Sequence, residues 1–143
     1  MDTSGVHLWL ILWKAYESLR AHADRHIRQT GLGFSDFAVL ETLLHKGPQP
    51  VNAIGQRVYL TSGSITAAVD RLEARGFLKR CDEPSDRRTR IVHLTPAGSK
   101  LIECAFDEHV AAMEHAASGL DATERKQLAA LLKKLGCRAE ELL

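Results

Sequence analysis

Between Arg57 and Arg90 the chain collects eight basic residues: Arg57, Arg71, Arg75, Lys79, Arg80, Arg87, Arg88 and Arg90. Five acidic ones oppose them, Asp70, Glu73, Asp82, Glu83 and Asp86, which leaves this segment at +3. The whole chain of 143 residues has a formal net charge of +1, so the remainder stands at −2. The basic segment also carries Ser62, Gly63, Ser64, Thr66 and Ala67 in a tight run. Guanidinium groups for phosphates, hydroxyls for phosphates or bases, and little side-chain bulk to hold a backbone away are chemistry suited to a polyanion. Enzyme chemistry is not expected. The chain has no Gly-rich phosphate loop, no Gly-x-Ser-x-Gly elbow and no His-Glu-x-x-His run, and its carboxylates are scattered along helix faces.

These residues need elements to place them. Leu8, Leu12, Tyr16, Leu19, Ala23 and Ile27 recur at spacings of three and four, which predicts a long first helix. Trp9, Leu10, Ile11 and Trp13 make its first half apolar on nearly every side, so another subunit is its expected cover. Gly31 and Gly33 end that helix, and Ser35 is placed to cap a second one running to about Lys46. Gly47–Pro50 reads as a break, with Pro50 opening a short third helix on Val51, Ile54 and Val58. Thr61 or Ser62 caps a fourth helix ending at Gly76, with Ile65, Ala68, Val69 and Leu72 inward. The period then changes. Phe77–Cys81 and Arg88–Leu94 are β-like and flank a polar turn, Asp82–Asp86, which predicts a hairpin. Thr95-Pro96 opens a fifth helix to about Ser118, and Asp121 with Glu124 forms a capping-box pattern for a last one carrying Leu128, Leu131, Leu132 and Leu135.

The expected fold is mainly α with a small β-hairpin wing: a winged helix-turn-helix core over 35–95, flanked by helices at 6–30 and 96–143, in one domain. In such a core the fourth helix suits the DNA major groove and the hairpin reaches a neighbouring minor groove. Hydrophobic residues at 45% and charged residues at 26% are the balance of a globular chain. Three unpaired-looking cysteines, Cys81, Cys104 and Cys137, point to the reducing cytoplasm. The longest fully apolar run, Leu8–Trp13, is too short to span a membrane, so no membrane partner is expected.

The run from Phe37 to Gly98 resembles the DNA-binding core of the multiple antibiotic resistance regulator (MarR) family. The resemblance is carried by Leu60-Thr-Ser-Gly-Ser-Ile-Thr-Ala-Ala-Val-Asp-Arg-Leu-Glu-Ala-Arg-Gly-Phe-Leu-Lys-Arg80, then Asp86-Arg-Arg, then Leu94-Thr-Pro-Ala-Gly98. It implies a homodimer, built from dimerisation helices at 6–30 and 96–143, that acts as a transcription regulator, a repressor, on a pseudo-palindromic double-stranded DNA operator with half-sites about one turn apart. Ser62, Gly63, Ser64, Thr66, Ala67, Arg71 and Arg75 would then face DNA from the helix, and Arg87, Arg88 and Arg90 from the wing. One wing arginine would enter a narrow A·T-rich minor groove. Asp86 would orient its neighbours, and Asp70 would pair with Arg80 to brace helix against wing.

Such regulators are commonly released by small aromatic ligands, by oxidation or by metal. Trp9, Trp13, Tyr16, Phe34 and Phe37 could line an apolar cleft for the first, or simply be core and interface. Cys81, at the base of the hairpin, is the candidate for the second, although a free cysteine is more often a small buried apolar residue. His22 and His26, one turn apart, with His109 and His115 further on, are too weak a pattern for a metal site, which needs three or four ligands at fixed geometry. No metal and no cofactor is expected. The alternatives are a redox- or metal-responsive regulator of the same type, or a winged-helix module that binds protein without DNA.

Overall fold

The computed structural model describes residues 1–143 except the side chain of Arg87. The elements run α1 (Gly5–Gln29), α2 (Phe34–Lys46), β1 (Gln49–Pro50), α3 (Val51–Arg57), α4 (Ser62–Ala74), β2 (Leu78–Glu83), β3 (Asp86–Leu94), α5 (Pro96–Ala116), a 3-10 turn (Ala117–Gly119) and α6 (Ala122–Glu140). This is the expected winged helix-turn-helix. Its core forms where α2, α3, α4 and the hairpin meet the start of α5, and Ile54, Ile65, Leu72, Val92 and Ile102 are fully buried there. Burying each such side chain contributes roughly 1.5–3 kcal/mol. The last turns of α1 join the core through Ala23 and Ile27, and these are the buried residues of that helix.

The caps follow the sequence with one exception. Thr61 and Thr95 each accept an N–H from the third residue of the helix they open, and Asp121 and Glu124 form the expected capping box. Ser35, however, does not cap α2. The helix begins one residue earlier at Phe34, with extended Gly33 as its cap residue and no side-chain capping bond. The carbonyl of Gly33 accepts from the Phe37 N–H at 2.9 Å, which draws Ser35 inside the first turn.

The hairpin is longer and tighter than the polar stretch suggests. β2 and β3 pair from Leu78 opposite Leu94 out to Glu83 opposite Asp86, with an irregularity at Asp82/Glu83 that leaves Pro84-Ser85 as the turn. Charged residues enter these strands because the hairpin projects from the body and its outer faces meet solvent. The Gly47–Pro50 break holds a strand as well. Gln49 and Pro50 pair antiparallel with Val92 and Ile91, so β3 is central in the order β1-β3-β2. Proline is tolerated because β1 is an edge strand that ends there, and Pro50 is the residue before α3 rather than its first.

Tyr59, between α3 and α4, adopts φ +56° while 96% exposed, the one non-glycine residue with positive φ among the described residues. A left-handed backbone costs such a residue about 1 kcal/mol or more, and an exposed ring recovers little of it by packing. Asparagine tolerates that region better. Tyr59→Asn is expected to raise the free energy of unfolding by about 0.5–1 kcal/mol in urea titrations. A fall would show that the ring makes contacts worth more than the strain.

Candidate nucleic-acid interface

The face of α4 opposite its buried stripe exposes Ser62, Gly63, Ser64, Thr66 and Ala67 together. Thr61 Oγ1 accepts from the Ser64 N–H at 3.2 Å and donates to Ser64 Oγ at 3.0 Å. The Thr66 hydroxyl donates to the Ser62 carbonyl at 2.8 Å, which uses its proton within the helix and leaves the exposed oxygen able to accept. A groove of about 450 Å³ separates this end of α4 from the wing, and Asn52, Ser62, Thr66, Arg80, Arg88 and Arg90 are among its walls. Hydroxyls thus line one side and guanidinium groups the other, an arrangement that fits a phosphate strand running between them.

The wing tip is organised by Asp86. Its carboxylate accepts from the Arg88 backbone N–H at 2.9 Å and from the Thr89 hydroxyl at 2.8 Å. These two bonds stabilise the anion and lower its pKa below the ordinary value. Arg88 and Arg90 are exposed, and Arg90 lies 3.6 Å from Asp82. The side chain of Arg87 lies outside the described residues.

Helix and wing are joined by Arg80. Burial alone would lower its pKa, but the hydrogen bonds it donates to Asp70 and Glu73 outweigh that and hold the guanidinium above its ordinary value. The structure therefore brings Asp70 and Arg80 together, and adds Glu73. Nothing in the sequence singled out Glu73, although its spacing of three from Asp70 places both on one helix face.

Arg71 and Arg75 point elsewhere. Arg71 grips Asp36 through two nitrogens, at 2.7 and 3.4 Å, and the Asp36 carboxylate is buried. That bond raises the Arg71 pKa against the cost of its desolvation. Arg75 donates to the Gly31 carbonyl at 3.2 Å and stacks over Phe77. Both arginines line an open cleft of about 680 Å³ between the end of α1, the start of α2 and α4, opposite Glu17, Arg20 and Phe34. Arg20 lies over the Phe34 ring, 5.4 Å from its centroid.

The five aromatics of the sequence reading are not brought together. Phe34 lines this cleft, Phe37 is buried in the core against His109, and Trp9, Trp13 and Tyr16 are exposed along the first half of α1. Cys81 is half-buried on β2 opposite Ile91 and has a free thiol.

The histidines gather where α1 crosses α5. His22 packs edge-on to His26 at 4.8 Å and stacks with His115 at 6.5 Å, and its Nε2 lies 2.9 Å from the Ala112 carbonyl. Among the described residues, no group of three or more His, Cys, Asp or Glu converges as metal ligands would. His109 has a buried Nδ1 without a partner, and its pKa is lowered by burial and by nearby His26, with Glu41 opposing. The unfolded chain takes up this proton near pH 6.5, the folded one only at lower pH. Between those values the unfolded state binds more protons, so stability present at pH 7.5 is lost as the pH falls through 6.5. Urea titrations from pH 7.5 to 5.5 should show that loss, with a smaller one in His109→Gln. Parallel profiles for the two proteins would mean another group is responsible.

A recognition helix with small polar residues outward, an arginine-bearing hairpin beside it and a hydroxyl-to-guanidinium groove between them define a winged-helix DNA-binding protein. Residues 34–89 match the sequence profile of the MarR family. Over 141 residues the chain is 38% identical to the HTH-type transcriptional regulator MhqR of Bacillus subtilis (strain 168), covering 99% of this chain and 97% of that one. The chain belongs to the MarR family, whose members are DNA-binding transcriptional regulators and not enzymes. Among solved structures, BpsR of Bordetella bronchiseptica, described as regulated in DNA binding by 6-hydroxynicotinic acid, superposes with a TM-score of 0.82 at 26% identity. It covers 91% of this chain and 98% of its own. A mutant MarR from E. coli complexed with operator DNA has the same fold, with a TM-score of 0.83 at 21% identity over 91% of this chain and 94% of that one. No helix among the described residues is long and apolar enough to cross a membrane.

Proposed function

We propose that this protein is a cytoplasmic homodimeric repressor that grips a pseudo-palindromic operator with two copies of α4 and two wings, and lets go when a small aromatic acid enters the cleft beside α1. The dimer is supported by what a single chain leaves uncovered. α6 has no buried residue, and Leu8, Trp9, Ile11 and Trp13 of α1 are all exposed. So much apolar surface on two helices is the mark of an interface.

The observation that carries release is the attachment of α4 to the cleft. Arg71 and Arg75, one turn apart on the recognition helix, are both held by the cleft's wall, through Asp36 and the Gly31 carbonyl. An aromatic ring against Phe34 with an acid group among Arg20, Arg71 and Arg75 would compete with Asp36 for Arg71, and a shift of that arginine is a shift of α4. The regulation of BpsR by an aromatic acid supports the ligand class.

The test is a binding titration on operator DNA selected from a genomic library, with 6-hydroxynicotinic acid and hydroxybenzoic acids as probes and the oligomeric state followed by sedimentation. A dimer that binds the operator and weakens at least tenfold with one of these acids is expected, and Phe34→Ala should need about tenfold more acid. A sedimenting monomer overturns the dimer, and DNA held at saturating acid concentrations overturns the release.

A further inference from the structure

Arg80 leaves β2 toward α4, and its side chain is only 14% exposed between the two. Glu73 holds it in two places at once. Glu73 Oε2 accepts from the Arg80 backbone N–H at 2.9 Å, and Oε1 accepts from the guanidinium at 2.8 Å. Asp70 takes another guanidinium N–H, at 2.5 Å, from a side chain 61% exposed, against 39% for Glu73. β2 is an edge strand with β3 on one side, so the Arg80 N–H points away from the sheet and would otherwise be left to water.

Two carboxylates on one guanidinium leave a net charge of −1 beside a surface that must meet phosphates. Electrostatics alone disfavours that choice, so the worth of the group is geometric. The two acids are unequal in this respect. Asp70 touches only the end of a long side chain and its own carboxylate is largely solvated, so water competes for its half of the pair. Glu73 ties the strand's main chain to the helix, and fixes the wing's height along α4 as well as its angle.

We propose that Glu73 is the positioning residue that sets α4 and the wing in the register the operator requires, with Asp70 subordinate to it. It acts on discrimination. Phosphate contacts made by either element alone survive a loosened wing, whereas reading two grooves at once needs both elements at a fixed separation. The proposal rests on operator binding through both elements, as set out above.

The experiment measures affinity for the selected operator and for a random duplex of equal length across a salt series, in wild type, Glu73→Ala, Glu73→Gln and Asp70→Ala, with urea unfolding of each. Glu73→Ala is expected to lower the operator-to-random ratio about tenfold with an unchanged salt slope, because no phosphate contact is lost. Glu73→Gln keeps an oxygen for the Arg80 N–H and should recover most of the ratio, and Asp70→Ala should lower it less than threefold. Hydrogen exchange at the Arg80 amide should quicken in Glu73→Ala and stay slow in Asp70→Ala. The proposal is overturned if Glu73→Ala weakens both duplexes equally, if only its unfolding midpoint moves, or if Asp70→Ala has the larger effect on the ratio. A wild type that does not prefer its selected operator overturns the operator reading as well, which the variants alone cannot do.

Discussion

Gly98→Ala is expected to destabilise the protein by about 3 kcal/mol, the upper part of the usual range for overpacking. Helix propensity gives the opposite sign, since alanine inside a helix is favoured over glycine by roughly 0.5–1 kcal/mol. Space decides between them. A Cβ at position 98 would stand 2.0 Å from the Phe77 carbonyl oxygen and 2.9 Å from its carbon. No rotamer change relieves a clash with main chain. The Phe77 carbonyl also accepts from the Thr95 N–H at 3.1 Å, and the Thr95 hydroxyl donates to the Gly76 carbonyl at 2.7 Å. To make room, the start of α5 must leave the start of β2 and break that clasp, which links the wing to the helix behind it. Urea unfolding at fixed protein concentration measures the loss. A variant as stable as wild type would mean that α5 can slide without cost.

Arg88→Ala is expected to weaken operator binding by about 10- to 100-fold and to reduce the salt slope by about one, as loss of one cation from the minor groove should. The reason is the wing tip's geometry. Asp86 binds the Arg88 main chain and leaves the side chain exposed, and among the described residues Arg88 makes no ion pair. Arg90 is less available, being near Asp82, so Arg90→Ala should cost less. Fluorescence anisotropy on the operator at several salt concentrations separates the two. An Arg88→Ala protein with unaltered affinity and slope would remove that residue from the interface.

Much of the winged helix-turn-helix that presents these residues is legible in the sequence, and the exceptions have physical reasons. Thr95 and the Asp121–Glu124 pair cap as the sequence indicates, and of Thr61 and Ser62 it is Thr61 that caps α4, because a cap is made among residues three apart and needs no distant partner. The inward stripe Ile65, Ala68, Val69 and Leu72 is likewise a matter of helical period, and all four are buried. Arg71 and Arg75 carry no such local answer. The period puts them on the surface of α4, but their holders, Asp36 and Gly31, belong to other elements and come near only on folding. β1 was missed because two residues containing a proline have no strand signal of their own, and their partner in β3 is over forty residues away.

What the sequence alone determined, then, was features with a short-range cause: the order of helices and hairpin, the caps at Thr95 and Asp121, the buried stripe, and the basic excess on α4 and the wing. Tertiary structure decided which charged side chains are held by partners within the protein and which are left exposed without one. Arg80 is spent on Glu73 and Asp70, Arg71 on Asp36, and Arg88 remains exposed at the wing tip. The physical reason is that an ion pair depends on a few ångströms of separation. Between residues as distant as Asp36 and Arg71, that separation is set only when α2 and α4 pack around a common core.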